Sequence, residues 1–194
     1  MLEIILASKS KVREKILKKN GINCIVEPSN VDEEPVKYSL ISQGASPEII
    51  SKNLAELKAN KISQKYQDKL VLGADSVIDL NGILISKPEN RAEALDILKK
   101  LNGKKHLLIS SACISKNGTM IWNYTDKASL TMKNFSTQDL EIYLNKISDE
   151  KLYSYNVYQI EDEGRDLFDS IEGEENTIMG LPVSKIKEYI KDYL

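Results

Sequence analysis

Asp75, Ser76 and Lys87 are the residues whose types and spacing first suggest chemistry. They fall within the stretch LVLGADSVIDLNGILISKP, from Leu70 to Pro88. Asn81-Gly82 separates two apolar runs there, and it is a strong hairpin signal because both central turn positions take positive φ. A two-residue turn sets Leu80 opposite Ile83, Ile78 opposite Ile85 and Ser76 opposite Lys87. Ile78, Leu80, Ile83 and Ile85 then share one face, as a buried sheet requires. Leu70-Val71-Leu72 reads as a buried strand that Gly73 ends, with Asp75 at its carboxyl end. Strict alternation points Asp75 away from Lys87, so the geometry at the mouth stays open. A carboxylate, a hydroxyl and an ammonium meeting where strands end suit a metal-bound phosphate substrate. The plainer reading is an exposed Asp–Lys ion pair of little energetic weight.

Three further stretches carry charge. Ser8 follows an apolar strand and is the expected N-cap of a helix over Lys9 to Asn20, closed by Gly21. Such a start offers free backbone N–H groups to an anion. Lys9, Lys11 and Arg13 sit there at the unfavourable end of the helix dipole, which a polyanion would justify and simple solvation also allows. Val31-Asp32-Glu33-Glu34-Pro35 reads as an acidic loop, either solvated or offering a carboxylate to a divalent cation. Lys58 falls on the polar flank of a long helix from Ser46 to about Tyr66. Ser46-Pro47-Glu48 opens that helix, and Ile50, Leu54, Leu57 and Ile62 form its apolar stripe.

The elements that must position these residues follow from periodicity. Strands are predicted over Leu2 to Ala7 and Ile22 to Glu27. Arg91 to Leu101 is a helix with Ala94, Leu95 and Leu98 inward. Lys105 to Ser115 is a long strand that Asn117-Gly118 turns into Thr119 to Thr125, and Ala128 to Met132 is a separate strand. Ser136 caps a helix that buries Leu140, Tyr143 and Leu144. Tyr153 to Ile160 is aromatic and partly cleft-lining, Leu167 to Ile171 a short strand, and Pro182 to Leu194 a closing helix. The order predicts an α/β fold with a mixed sheet and flanking helices rather than a run of βαβ units. Neither the dinucleotide fingerprint nor the P-loop is present.

The chain of 194 residues suffices for one domain, or for two small lobes around a cleft. Its formal net charge of −2, with acids interspersed among the lysines, gives no basic footprint for nucleic acid. Cys24 and Cys113 lie in apolar runs, as expected of reduced thiols in a cytoplasm. The lone His106 cannot build a multi-histidine zinc site. The apolar amino-terminal run is too short for a signal peptide, and no run approaches membrane-spanning length. The expectation is a cytoplasmic protein with no membrane partner.

Several blocks, in order and across nearly the whole chain, resemble the Maf family of nucleoside triphosphate pyrophosphatases. They are Leu6-Ala7-Ser8-Lys9-Ser10-Lys11-Val12-Arg13, Val31-Asp32-Glu33, Leu54-Ala55 through Lys58-Ala59, Gly73-Ala74-Asp75-Ser76, Ser86-Lys87-Pro88, Tyr158-Gln159, Ile171-Glu172-Gly173 and Gly180-Leu181-Pro182. The resemblance implies an elongated, inosine-triphosphatase-like fold around a central cleft, in a single domain that is often a homodimer. It also implies hydrolysis of a nucleoside triphosphate, standard or modified, to the monophosphate and pyrophosphate with Mg²⁺ or Mn²⁺.

Carried over by position, Asp75 matches the proton acceptor, with Glu33 and Lys87 beside it in the catalytic set and Glu33 and Asp75 as metal ligands. Ser8, Arg13, Lys58, Ser76 and Gln159 match substrate-binding positions, the last two linked to base selection. The chain departs from the pattern at three places. Val12-Arg13 stands for an arginine pair, Ser76 for the commoner threonine, and Tyr153-Ser154-Tyr155-Asn156-Val157-Tyr158 for a run that normally carries an acid and a lysine. These departures keep a rival in view: a nucleotide-binding regulator of cell division with little or no turnover, a role the family name also carries.

Overall fold

The computed structural model describes residues 3–160 and 163–193. Leu2, expected in the first strand, and Leu194, expected in the last helix, lie outside them. The elements run β1 (Glu3–Leu6), α1 (Lys11–Lys19), β2 (Asn23–Val26), α2 (Glu33–Ser42), α3 (Pro47–Ser63), β3 (Val71–Leu80), β4 (Ile83–Ile85) and α4 (Arg91–Leu101). They continue with β5 (Lys105–Lys116), β6 (Thr119–Met132), α5 (Thr137–Lys146), α6 (Asp149–Tyr155), β7 (Phe168–Glu172), α7 (Glu175–Ile178) and α8 (Val183–Ile190). The mixed α/β expectation holds: one seven-stranded sheet of order β2-β1-β3-β5-β6-β7, with β4 on β3. Among the described residues only the β1–β2 and β1–β3 pairings are parallel. Among the described residues no helix is long and apolar enough to cross a membrane.

β3 organises the site. It runs unbroken for ten residues, so Gly73 does not end a strand and Asp75 sits mid-strand. The glycine is there because α3 presses on the sheet: a Cβ at position 73 would lie 2.2 Å from the Ala55 carbonyl oxygen and 2.7 Å from the Ala59 nitrogen. Opposite β5, β3 has two partners on one edge, β1 at Val71 and Leu72 and β4 from Ile78 to Leu80. Among the described residues that ladder is interrupted from Gly73 to Val77. The gap lies where β1 ends, the kind of switch point at which α/β sheets accept ligands.

The hairpin pairs Ile78 with Ile85 and Leu80 with Ile83 as the turn demanded, with Asn81 and Gly82 at positive φ. The pairing stops at Ile85, however, so Ser76 does not face Lys87 across a ladder; Ser76 pairs instead with Ser110 of β5. Ile83, at the hairpin tip, is exposed rather than buried.

Two apolar clusters share the even-numbered face of β3. Leu72 and Ala74 pack with α1 and α8, while Ile78 and Leu80 pack with α4, α5 and β6. Ser76 sits between them.

Four other expectations are corrected. The cap of α1 is Ser10, which accepts from the Arg13 N–H, rather than Ser8. The acidic loop is the first turn of α2, with Pro35 where a helix tolerates proline; no residue of α2 is buried, so no apolar period announced it. Thr119 to Met132 is one strand, since Asp126-Lys127 lies partly exposed on it without interrupting the ladder. Asp149–Tyr155 is a helix that periodicity did not place, and it runs into the aromatic stretch read over Tyr153 to Ile160.

Candidate active site

The odd-numbered face of β3 meets α3. Asp75, 6% exposed, accepts a hydrogen bond from Lys58 Nζ at 2.7 Å. Lys58 is not on a polar flank. It is 8% exposed, on the same buried stripe as Ser51, Leu54, Ala55 and Ile62, whereas Leu57 is 36% exposed. The same ammonium lies 2.8 Å from Glu33 Oε1, so one lysine joins the carboxylates of β3 and α2. Lys37, one helical turn after Glu33, closes on Glu33 at 3.6 Å and on Glu34 at 2.8 Å.

The charges set each other's protonation. Burial pushes the Glu33 carboxyl up, but Lys58, Lys37 and Lys87 outweigh it and hold the group below the usual range. Burial pushes Lys37 down, and Glu34, Glu33 and Asp75 more than restore it. Lys87 stays lowered, chiefly by burial and then by the repulsion of Arg13 and Lys58, although Glu33 and Asp75 oppose the shift.

Arg13 fills the gap in the β3 ladder. Its Nη1 donates to the Ala74 carbonyl at 2.9 Å and to Ser8 Oγ at 3.2 Å; Nη2 donates to Ser76 Oγ at 3.1 Å and Nε to the Gly180 carbonyl at 2.9 Å. Four of the five guanidinium N–H groups are thereby spoken for. Burial lowers the Arg13 pKa, against the pull of Asp75 and Glu33. Arginine remains charged regardless.

These groups border a cavity of about 530 Å³. All eight residues singled out in the sequence line it: Ser8, Arg13, Glu33, Lys58, Asp75, Ser76, Lys87 and Gln159. Its lining carries six cationic side chains against three carboxylates, in a chain whose formal net charge is −2. Val12 borders the cavity while packing partly against the first apolar cluster. A family model described as Maf-like protein matches residues 3–193.

The chain belongs to the Maf family.

Among curated Maf relatives, a nucleoside triphosphate pyrophosphatase of Pelagibacter ubique (strain HTCC1062) is 70% identical over 189 residues, 97% of each chain. A 7-methyl-GTP pyrophosphatase of Rhizobium johnstonii (strain DSM 114642 / LMG 32736 / 3841) is 32% identical over 98% of this chain and 96% of its own. The solved Staphylococcus aureus Ham1 protein aligns over 99% of this chain and 100% of its own, at 13% identity and a TM-score of 0.47.

The donors suit the divalent cation that Maf membership implies. Glu33 and Asp75 present hard oxygen ligands near one point, now shared through Lys58. Among the described residues no group of three or more His, Cys, Asp or Glu could hold a metal. The remaining ligands would therefore be water and phosphate oxygens, the usual habit of Mg²⁺.

Sequence reasoning missed Lys37, whose signal was its spacing of four from Glu33. It also missed Ser110, which meets Ser76 from β5, and Thr177, whose carbonyl accepts from Ser110 in turn.

Proposed function

We propose that this Maf-family chain hydrolyses a nucleoside triphosphate to the monophosphate and pyrophosphate. The observation that carries the reading is the Lys58-held pair of Asp75 and Glu33 on a cavity whose lining is predominantly cationic. A triphosphate brings close to four negative charges, and fixed ammonium and guanidinium groups stabilise them without rearranging during the reaction. Lys58, Lys87, Lys37 and the Arg13 guanidinium supply that field. Water attacks the α-phosphorus and gives a proton to Asp75; the bond from that phosphorus to its bridging oxygen breaks, and pyrophosphate leaves. A divalent cation held by Glu33 and Asp75 supplies Lewis acidity and charge neutralisation when bound. Gln159, beside the buried Tyr158 at the cavity wall, takes the base edge. The names of the relatives support a nucleoside triphosphate as substrate and admit a modified base such as 7-methylguanine.

Pyrophosphate release from standard and modified nucleotides, with Mg²⁺ or Mn²⁺, tests this. Asp75→Asn is expected to lower turnover by roughly two to four orders of magnitude while nucleotide affinity stays nearly intact. Binding without release in the parent protein would favour the regulatory role instead.

A further inference from the structure

Ser110 lies in the middle of β5, fully buried, one strand behind the cavity wall. Its hydroxyl donates to the Thr177 carbonyl oxygen at 2.8 Å. Thr177 is fixed in turn, its own hydroxyl donating to Asp126 Oδ2 at 2.6 Å. A serine hydroxyl has one proton and two lone pairs. With its proton on Thr177, the Ser110 oxygen can only accept. The Ser76 hydroxyl stands 2.9 Å from it, so Ser76 is the donor of that pair. The alternative acceptor for the Ser76 proton, the Gly180 carbonyl at 3.4 Å, is also protein. The shorter contact holds the Ser76 proton on Ser110, which is buried behind the cavity wall, and the long one to Gly180 is a poor substitute. One Ser76 lone pair receives Arg13 Nη2 at 3.1 Å, and the other remains. Ser76 lines the cavity.

We propose that Ser110 is a positioning residue that determines specificity: it holds the Ser76 hydroxyl as an acceptor, so the nucleotide group that meets Ser76 is an N–H or O–H donor. This rests on the nucleotide reading above and adds the polarity of the ligand edge that the site selects. Ser110 touches no ligand, and its effect passes wholly through the direction of the Ser76 proton.

The test is calorimetric affinity for α,β-imido nucleotides, whose scissile link cannot be hydrolysed. They are compared in pairs that exchange a donor for an acceptor or remove it: adenine with hypoxanthine, cytosine with uracil, ribose with 2′-deoxyribose. The parent protein is expected to favour the donor-bearing member of one pair. Ser110→Ala frees the Ser76 proton and should narrow that preference by about tenfold, one neutral hydrogen bond, while affinity for inorganic pyrophosphate changes by less than about twofold. Ser110→Cys, close in size and a weaker donor, should move the same preference by less, and it serves should the alanine variant fail to fold. A parent that favours no donor-bearing member overturns the assignment. So does an equal loss for every ligand in both variants. Donor preference without pyrophosphate release from ordinary nucleotides would overturn the catalytic reading and leave the polarity assignment standing.

Discussion

The two faces of β3 reach the cavity one residue apart and use different chemistry. On the Asp75 side, a lysine from α3 and a carboxylate from α2 make an ionic cluster. On the Ser76 side the groups are hydroxyls and carbonyls around one arginine. The scaffolds behind them are alike. Asp75, Ser111 and Thr125 lie in register across three strands and are joined to Ser51 of α3; Ser76, Ser110 and Asp126 lie in register beside them and are joined to Thr177 of α7. One sheet level thus serves two purposes. Charges act at a distance and stabilise a polyanion with little regard to its shape. Hydroxyls whose protons are all committed act at contact and distinguish a donor from an acceptor.

Removing the ionic partner should have the larger effect on stability. Lys58→Met leaves Asp75 and Glu33 facing each other without their shared cation, and a loss of about 3 kcal/mol or more is expected in urea melts. Ser110→Ala leaves one carbonyl without its donor and should cost about 1–3 kcal/mol. Equal losses would erase the contrast between the faces.

Acid should separate them further. His106 lies on the same even-numbered face, 2% exposed, with Nε2 2.8 Å from the Tyr158 hydroxyl. Burial, against a smaller opposing effect of the Lys104 backbone, lowers its pKa from 6.5 to about 4. Because the folded value is the lower one, the unfolded chain binds more protons between the two. The stability linked to neutral His106 is therefore full above about pH 6.5 and lost as pH falls towards 4, up to about 3 kcal/mol. His106→Phe should flatten that part of the stability–pH curve; an unchanged slope would place the sensitivity elsewhere. Glu33, whose folded pKa is also lowered, contributes in a more acidic window, starting from its ordinary value of 4.5.

The smallest effect concerns the cation. Glu33→Gln should raise the Mg²⁺ or Mn²⁺ concentration for half-maximal pyrophosphate release by about tenfold, the loss of one ligand oxygen's charge. An unmoved titration would confine Glu33 to its ion pairs with Lys58 and Lys37.

What the sequence made legible was local. The Ser136 cap, Ser46-Pro47 at the start of α3 and the Asn-Gly turns at 81–82 and 117–118 all act within four residues, and all are in place. The eight candidate residues were legible only by position in blocks that resemble a family, and the fold brings them to one cavity. What stayed hidden depended on partners far along the chain. Gly73 carries the same signal whether it stops a strand or admits a helix. Lys58 and Leu57 exchange expected environments because a buried carboxylate draws in the lysine, which no apolar count can register. The Ser110 to Thr177 bond spans 67 residues and joins two unremarkable side chains.

The close approach at Gly73 has a thermodynamic consequence for Lys58. A lysine is among the side chains with most rotamer freedom to lose, on the order of 2 kcal/mol. Ala55 and Ala59 bracket Lys58 on the helix, and both touch the backbone of β3 at position 73. The ammonium is thus delivered to Asp75 by two elements in backbone contact, and its freedom is lost when the chain folds. A phosphate arriving later meets a cation already ordered, so its binding enthalpy is not offset there by entropy.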